Sequence, residues 1–213
     1  MNKPFRYIFI AVLILLWSMI LIPWVFAKDR TFHGKAIDVD TKEPIEGAVV
    51  VAYWLEARAT VSGEDTRLKE VKETLTDKDG KWSITGPKGK EGSNALLIFT
   101  FLTGTYYTRE PQFIIFKPGY CSWPQGFSIE ACKEKIIHSG TGEITEGGNV
   151  ELPKLIKKED RFFAIPGPNY GTDPSRRVEF LKKQKNFLKL LNEESREIGL
   201  SENKMYKEIA DEK

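Results

Sequence analysis

Histidine and cysteine are the side chains best suited to metal ligation or nucleophilic chemistry, and both are scarce in this sequence. The 213 residues include two histidines and two cysteines. His33 lies in a β-rich run, whereas His138 lies far downstream in a stretch rich in Gly and Thr. Histidine metal sites usually bring ligands together at short fixed spacings, and neither histidine has such a neighbour. The sequence therefore predicts no catalytic residue and no metal or cofactor site, with a small hydrolase or metal-dependent enzyme as the alternative.

Paired aspartates are the next group that could do chemistry. Asp38 and Asp40 form one pair, and Asp77 and Asp79 form another. Clustered carboxylates suit Ca²⁺, but neither pair begins a calcium-binding loop that ends in glutamate. Aspartate also accepts hydrogen bonds from nearby backbone and stabilises turns. We interpret both pairs as turn residues, with calcium binding as the alternative.

The two cysteines, Cys121 and Cys132, are close enough in sequence to form a disulfide in an oxidising compartment. Closing such a short loop stabilises a fold by about 3 kcal/mol on the chain-entropy estimate. A redox or metal pair is the alternative, and it lacks both a Cys-x-x-Cys spacing and an adjacent histidine. The sequence therefore predicts a structural disulfide.

Aromatic side chains are dense around the cysteine pair and could contact a ligand. Exposed on loops, such rings stack on a saccharide or contact a protein. Buried, Trp123 and Phe127 would pack over the cystine and close one end of the domain, which is the interpretation we favour. The candidate ligand-contact residues are Tyr106, Tyr107, Tyr120, Trp123 and Phe127.

Residues 1–27 predict a membrane anchor or a signal peptide. Lys3 and Arg6 precede an uncharged apolar run from Ile8 to Phe26. As a helix at ~1.5 Å per residue this run is about 28 Å long, close to the ~30 Å of a bilayer core. Its end also fits a signal that is cleaved after Ala27, and a buried core helix is the remaining alternative. The anchor and the signal both export the rest of the chain, because the positive charges precede the first apolar segment.

The charge balance bears on the choice of partner. Lys3 and Arg6 account for the whole excess of 32 Lys and Arg over 30 Asp and Glu, so the exported part is formally neutral. Nucleic-acid-binding domains usually carry a basic excess, and the sequence predicts no nucleic-acid partner. It predicts contact with the membrane through residues 1–27, and with an unknown envelope protein or a saccharide.

Short β-rich runs between turn residues predict a mainly β fold, a seven-stranded antiparallel sandwich. Ala48–Leu55 is apolar on both faces, which is typical of a central strand. Asp77–Gly80 predicts a tight hairpin, because Gly80 can adopt a positive φ. The predicted strands are Thr31–Val39, Ala48–Leu55, Leu68–Thr76, Lys81–Thr85, Ala95–Leu102, Gln112–Phe116 and Asn149–Leu155, with loops at 56–70 and 86–92 and an insertion at 121–148.

The carboxy-terminal part predicts a linker at 156–172 and a helical extension at 173–213. Asp173 can cap a helix with Pro174 in its first turn, and Gly199 is its expected end. Basic side chains cover one face of this helix and could contact a membrane surface or a partner. We expect instead that its apolar stripe docks on its own domain while the basic face stays in water.

With these residues in view, the chain resembles the carboxypeptidase regulatory-like domain, a family of transthyretin-like β-sandwiches. The resemblance runs from about Thr31 to Leu155 and is interrupted at 121–148. It implies a transthyretin-like or immunoglobulin-like sandwich that acts as an accessory or binding module, with no catalytic residue to carry over. The matching segments are Gly34 through Asp40, Pro44-Ile45-x-Gly47-Ala48-x-Val50, Thr76-Asp77-x-Asp79-Gly80-x-Trp82-x-Ile84, Lys117-Pro118-Gly119-Tyr120 and Val150-x-Leu152.

The resemblance also bears on the enzyme alternative. Transthyretin-like folds include hydroxyisourate hydrolases, but their carboxy-terminal Tyr-Arg-Gly-Ser signature is absent here. The sequence therefore predicts an exported, membrane-tethered, non-catalytic binding or structural module of the cell envelope. The resemblance implies a bacterial envelope, with the module facing the periplasm. The first alternative is a carbohydrate- or peptide-binding module that uses the aromatic end near Trp123.

Overall fold

The structure, a computed structural model, describes residues 29–90, 92–124, 129–136 and 148–212. The predicted anchor at 1–27, Phe127 and His138 lie outside the described residues. Within them the fold is mainly β, with seven strands in two sheets and several helices. The prediction of a mainly β fold built on two sheets is confirmed.

The first sheet has the strand order β4-β1-β7. β1 is Asp29–Asp38, β4 is Lys81–Pro87 and β7 is Asn149–Leu152. β4 runs antiparallel to β1, but β7 runs parallel to it. The prediction of an all-antiparallel sandwich is therefore wrong at β7. This strand joins β1 after the chain has passed through the other sheet, so no hairpin sets its direction.

The second sheet is centred on β2, Val49–Thr60. One edge of β2 pairs antiparallel with β3, Gly63–Leu75, and the other pairs with β5, Tyr107–Thr108, and β6, Gln112–Phe116. The central position of β2 and the bounds of β6 were both predicted. The prediction of a loop at 56–70 is wrong, because these residues form the outer halves of β2 and β3. Their polar sequence is compatible with strands, because a two-stranded ribbon can present polar side chains to water.

The turn at Asp77–Gly80 forms, but it does not close a hairpin. Gly80 has φ +73°, and its carbonyl accepts a hydrogen bond from Ala36 N at 2.9 Å. β3 before the turn belongs to the second sheet and β4 after it to the first, so the turn carries the chain between sheets. The hairpin prediction is wrong because turn chemistry sets the change of direction and not the pairing of the next strand.

Residues 95–102, predicted as a strand, belong to helix α1, Asn94–Thr103. Ser93 caps its start by accepting a hydrogen bond from Leu96 N at 3.2 Å, and Gly104 ends it with φ +67°. A short continuous apolar run fits a strand or a helix equally well by periodicity, and here the two caps decide for the helix. Among the described residues, no helix is long and apolar enough to cross a membrane.

The core between the sheets explains half of the apolar pattern of β2. Alternate residues of β2, including Trp54, face the first sheet and are buried. Phe113 lies among them, with its ring centroid 5.7 Å from that of Phe32 and 5.4 Å from that of Trp82. These aromatic contacts join both sheets into one sandwich.

Helices occupy the carboxy-terminal part of the chain beyond α2, Glu130–Ile136. Asp173 accepts a hydrogen bond from Ser175 N at 2.9 Å, and Gly199 ends a helix with φ +90°, both as predicted. The single predicted helix is interrupted, however, near the buried Gln184. The elements are α3 at Lys158–Ala164, a 3₁₀ turn at Pro174–Arg176, α4 at Arg177–Lys182, α5 at Lys185–Ile198 and α6 at Lys204–Asp211.

Helices α4, α5 and α6 cover the outer face of the second sheet. The other alternate residues of β2, Val49 and Val51, pack there against Phe187 and Leu188 of α5. The apolar stripe of the helices therefore docks on the sandwich, as expected. Both faces of β2 are covered from Val49 to Trp54, which is why this part of its sequence shows no polar side.

A buried ion pair fixes the helices to the loop after β6. Glu194 of α5 is 2% exposed and accepts hydrogen bonds from Arg161 of α3 at 2.8 and 2.6 Å. It also accepts one from the backbone N–H of Gly119 at 2.9 Å. The hydrogen bonds to Glu194 and Glu197 raise the pKa of Arg161 further above its already high ordinary value. Three segments thus meet at one carboxylate.

Candidate functional site

The aromatic residues predicted to contact a ligand do not come together. Tyr107 pairs with Ala57 of β2, while Trp123 bridges Ile115, which pairs with Val50. Seven residues of strand at ~3.3 Å each separate these two levels by about 23 Å. The described members of the set therefore form two groups at different levels of the sandwich.

The first group, Tyr106 and Tyr107, is engaged by charged neighbours. The guanidinium groups of Arg58 and Arg67 lie 4.7 and 4.0 Å from the ring centroid of Tyr106. The hydroxyl of Tyr106 donates to Asp65, which raises the pKa of this tyrosine. Tyr107 is buried, and its hydroxyl donates to Glu64 at 2.8 Å. The ring of Tyr106 and the hydroxyl groups of both tyrosines are therefore already in contact with other residues of the protein.

The second group is mostly interior. Trp123 is 7% exposed and packs in the core between the sheets, so its ring is not a surface platform. Tyr120 is half-buried against the same core. Burial and the neighbouring Asp38 carboxylate raise the pKa of Tyr120. Trp123 is interior, as the favoured interpretation has it, but it packs in the core between the sheets and not over the cystine.

The predicted disulfide between Cys121 and Cys132 is present. Both cysteines are fully buried and pack with Leu155 and Ala164 in a small apolar cluster of their own. Trp123 belongs to the larger core instead and is absent from this cluster. The cystine therefore ties α2 to the segment after β6, packs against the segment after β7, and presents no reactive sulfur at the surface.

The aspartate pairs act as turn residues. Asp38 accepts hydrogen bonds from Asp40 N at 2.8 Å and Thr41 N at 3.0 Å. Burial opposes ionisation of Asp38, but these backbone hydrogen bonds outweigh it and lower its pKa. Asp77 accepts from the backbone N–H groups of Asp79 and Lys81. Within the described residues, no three His, Cys, Asp or Glu side chains are grouped as metal ligands.

A groove lies on the outer face of the second sheet. It lies between the strands and the extended segment 167–172 and has a volume of about 430 Å³. Its floor is apolar, and tyrosine, arginine and asparagine side chains stand at its walls. The residues that shape it most are Tyr53, Leu55, Arg67, Ile114, Asn169 and Tyr170.

The groove wall is held rigidly. The side chain of the buried Gln184 donates to Asn169 O at 2.7 Å and accepts from Asn169 N at 3.3 Å. Gly171 has φ +69°, and a Cβ at this position would lie 2.9 Å from the Cβ of Leu68. Only glycine allows the segment to approach β3 this closely in that conformation. The groove is therefore pre-formed.

The groove contains groups that bind rather than react. Burial raises the pKa of Tyr53, and a hydrogen bond with the Asn169 side chain offsets this in part. One face of the Tyr170 ring is covered by Arg177, whose guanidinium lies 4.3 Å from the ring centroid. No histidine, cysteine or carboxylate is among the described lining residues. Stacking and hydrogen bonding are what such a lining can provide.

Comparisons with other proteins bear on the family. No family model matches the chain, and no curated protein matches it. The resemblance to the carboxypeptidase regulatory-like domain therefore stays an expectation based on the quoted segments.

Sequence reasoning missed the groove residues. Tyr53 was interpreted only as part of a central strand, and Asn169 and Tyr170 only as part of a linker. The one local signal was the run Pro166-Gly167-Pro168, which predicts an extended backbone. Nothing in it indicates which surface the segment packs on.

Proposed function

We propose that this chain is an exported, membrane-tethered, non-catalytic binding module of the cell envelope. The observation that carries the proposal is the rigid groove between the second sheet and segment 167–172. Its volume of about 430 Å³ lies within the range of small-ligand sites. Its lining offers tyrosine rings, neutral hydrogen-bonding groups and the guanidinium of Arg67, and no histidine, cysteine or carboxylate is among the described lining residues.

Export is supported by the buried disulfide, since such bonds persist mainly in oxidising compartments. Tethering is supported by the uncharged run from Ile8 to Phe26 with Lys3 and Arg6 before it. Membrane fractionation followed by determination of the mature amino terminus tests both. We expect the chain in the membrane fraction with residues 1–27 retained. A soluble chain that begins at Lys28 would contradict the tether.

The ligand class follows from the lining. Tyrosine side chains next to asparagine and threonine suit a saccharide or the backbone of an extended peptide. Trp123 is buried, so the groove replaces the aromatic end near Trp123 as the binding site that we propose. Cell-wall polymer contains both chemistries and is the natural source of probes.

Calorimetric titration of the full chain in detergent with soluble cell-wall fragments tests binding, with glycan-only and peptide-only fragments in separate arms. We expect saturable binding in one of the two arms. We expect Tyr170→Ala to bind with about tenfold lower affinity, because one lost stacking contact can cost ~1.4 kcal/mol of binding free energy. Phe162→Ala is the matched control, because Phe162 is an exposed aromatic outside the groove. Equal losses in both variants, or no saturation in either arm, would refute the binding role.

A further inference from the structure

Helix α1 is inverted with respect to water. Thr100 is its buried residue, and the Oγ1 atom accepts a hydrogen bond from Ala59 N at 3.1 Å. Its large apolar side chains point outward, with Ile98, Phe101 and Leu102 60%, 50% and 76% exposed. Soluble surface helices show the opposite arrangement. In α1 the polar Thr100 therefore contacts the protein, whereas the large apolar side chains are exposed.

The tip of the β2–β3 hairpin extends this apolar surface. Val61 at the tip is 94% exposed, and it lies two residues after Ala59, to which α1 is hydrogen-bonded. From 92 to 108 the sequence contains no charged residue. We call α1 together with Val61 the apolar end. Exposed apolar side chains grouped at one end of a domain are typical of a contact with a membrane or a protein.

The described chain begins near the apolar end. β1 and β2 run in opposite directions. Near the end of β1, Ala36 O accepts a hydrogen bond at 3.0 Å from Ile45 N, which precedes β2. Nearer the start of β1, Phe32 packs against Trp54, which lies further along β2, with ring centroids 6.3 Å apart. Arg30 forms an ion pair with Glu110 at 3.7 Å, and the adjacent Arg109 N donates to Leu55 O at 2.8 Å. The start of β1 is therefore level with Leu55, and β2 continues past that level to the tip.

The few residues between the predicted anchor and β1 limit the distance between the apolar end and the membrane. Phe26 ends the uncharged run three peptide units before Asp29, so the two residues are at most ~11 Å apart. From Leu55 to Val61, six residues at ~3.3 Å carry the tip about 20 Å in the same direction. The apolar end therefore reaches the depth at which the anchor enters the membrane.

We propose that the apolar end rests in the lipid interface of the membrane that holds residues 1–27. This inference depends on the tether in the proposed function. Helices that lie in such an interface bury apolar side chains about 5–10 Å below the headgroups, a depth that the lengths above allow. The contact fixes the orientation of the sandwich, with the groove held at a set height above the bilayer instead of swinging on a flexible tether.

Site-directed labelling of the full chain in vesicles of phosphatidylcholine and phosphatidylglycerol tests this. Leu102→Cys carries an environment-sensitive fluorophore, and the two native cysteines are protected by their disulfide. Ile156→Cys is the matched control, because Ile156 is 92% exposed and follows β7, which ends opposite Asp38 at the far end of β1. Quenching by acyl-chain-brominated lipid and by aqueous iodide is then measured at both positions.

We expect brominated lipid to quench the Leu102 label and iodide to quench it several-fold less than the Ile156 label. Equal iodide quenching at both positions in vesicles that float with the protein would overturn the membrane contact and leave the tether intact. Protein that fails to float with the vesicles would overturn the tether itself. Shielding of Leu102 that rises with protein concentration in detergent would assign the surface to a second copy and overturn the lipid contact.

Discussion

Gly80 shows how one residue directs the chain between sheets. Its φ of +73° already disfavours any other residue, and a Cβ there would lie 2.4 Å from the carbonyl oxygen of Ala36. We expect Gly80→Ala to lower the free energy of unfolding by about 2–3 kcal/mol, from backbone strain plus the contact with a backbone atom that cannot move aside. Thermal unfolding followed by circular dichroism measures the loss.

Gly104→Ala is the matched control for Gly80→Ala. Gly104 has φ +67°, and a Cβ there would meet no atom within 4 Å. This variant carries the strain alone, about 1 kcal/mol. Equal losses at the two positions would show that the contact with Ala36 contributes nothing.

Glu194 is the second residue on which several segments depend. Glu194→Leu leaves the N–H of Gly119 without its acceptor and leaves the guanidinium of Arg161 with Glu197 as its one remaining carboxylate partner. We expect a loss of about 3–5 kcal/mol. Glu179→Leu breaks an exposed pair with Arg176 and should cost less than ~1 kcal/mol. Chemical denaturation of both variants compares them, and similar midpoints would exclude a structural role for the buried pair.

At the scale of elements, Glu73 connects β3 to the start of α5. Its carboxylate accepts hydrogen bonds from Asn186 N at 2.8 Å and Phe187 N at 2.9 Å. Burial raises the pKa of Glu73 above its ordinary 4.5, and the hydrogen bonds offset this only in part. The folded state thus holds the proton more tightly than the unfolded state, and stability falls as pH rises through the raised folded pKa.

The pH dependence is testable with Glu73→Gln, which cannot titrate. We expect the wild type to lose stability relative to this variant as the pH rises from about 4 to 7, because ionised Glu73 is disfavoured in its buried site. Unfolding midpoints at several pH values give the difference. If the difference in unfolding midpoint between the two proteins stays constant with pH, or if the wild type gains stability relative to Glu73→Gln as the pH rises, the raised pKa is contradicted.

Elements with local signals were predictable, and those set by tertiary pairing were not. Local sequence signals predicted the strand Gln112–Phe116, the helix cap at Asp173 and the helix end at Gly199. Each of these features depends on the residues at that position itself. The direction of β7 and the destination of the chain after Gly80 depend on strands far away in sequence. Helix α1 was missed because a short continuous apolar run fits a strand or a helix equally well, and the caps at Ser93 and Gly104 were not considered.

At the scale of the whole molecule, the groove could not be predicted because it is an assembled surface. Tyr53 and Ile114 come from two strands, and Asn169 and Tyr170 come from a segment that is placed by Gln184. The sequence shows each residue type but not that they face each other. What it does show is that β2 lacks a polar side, and this required a third layer over the outer face of its sheet.

That third layer gives the last prediction. Phe187 is fully buried between α5 and the sheet, with its ring centroid 6.0 Å from that of Phe116. We expect Phe187→Ala to lower the free energy of unfolding by about 3–5 kcal/mol, from lost apolar burial plus the cavity left behind. Phe101→Ala removes the same atoms from an exposed helix and should change it by less than ~0.5 kcal/mol in detergent. If both variants unfold at the wild-type temperature, the helices are an appendage, and the outer face of the sheet is stable without them.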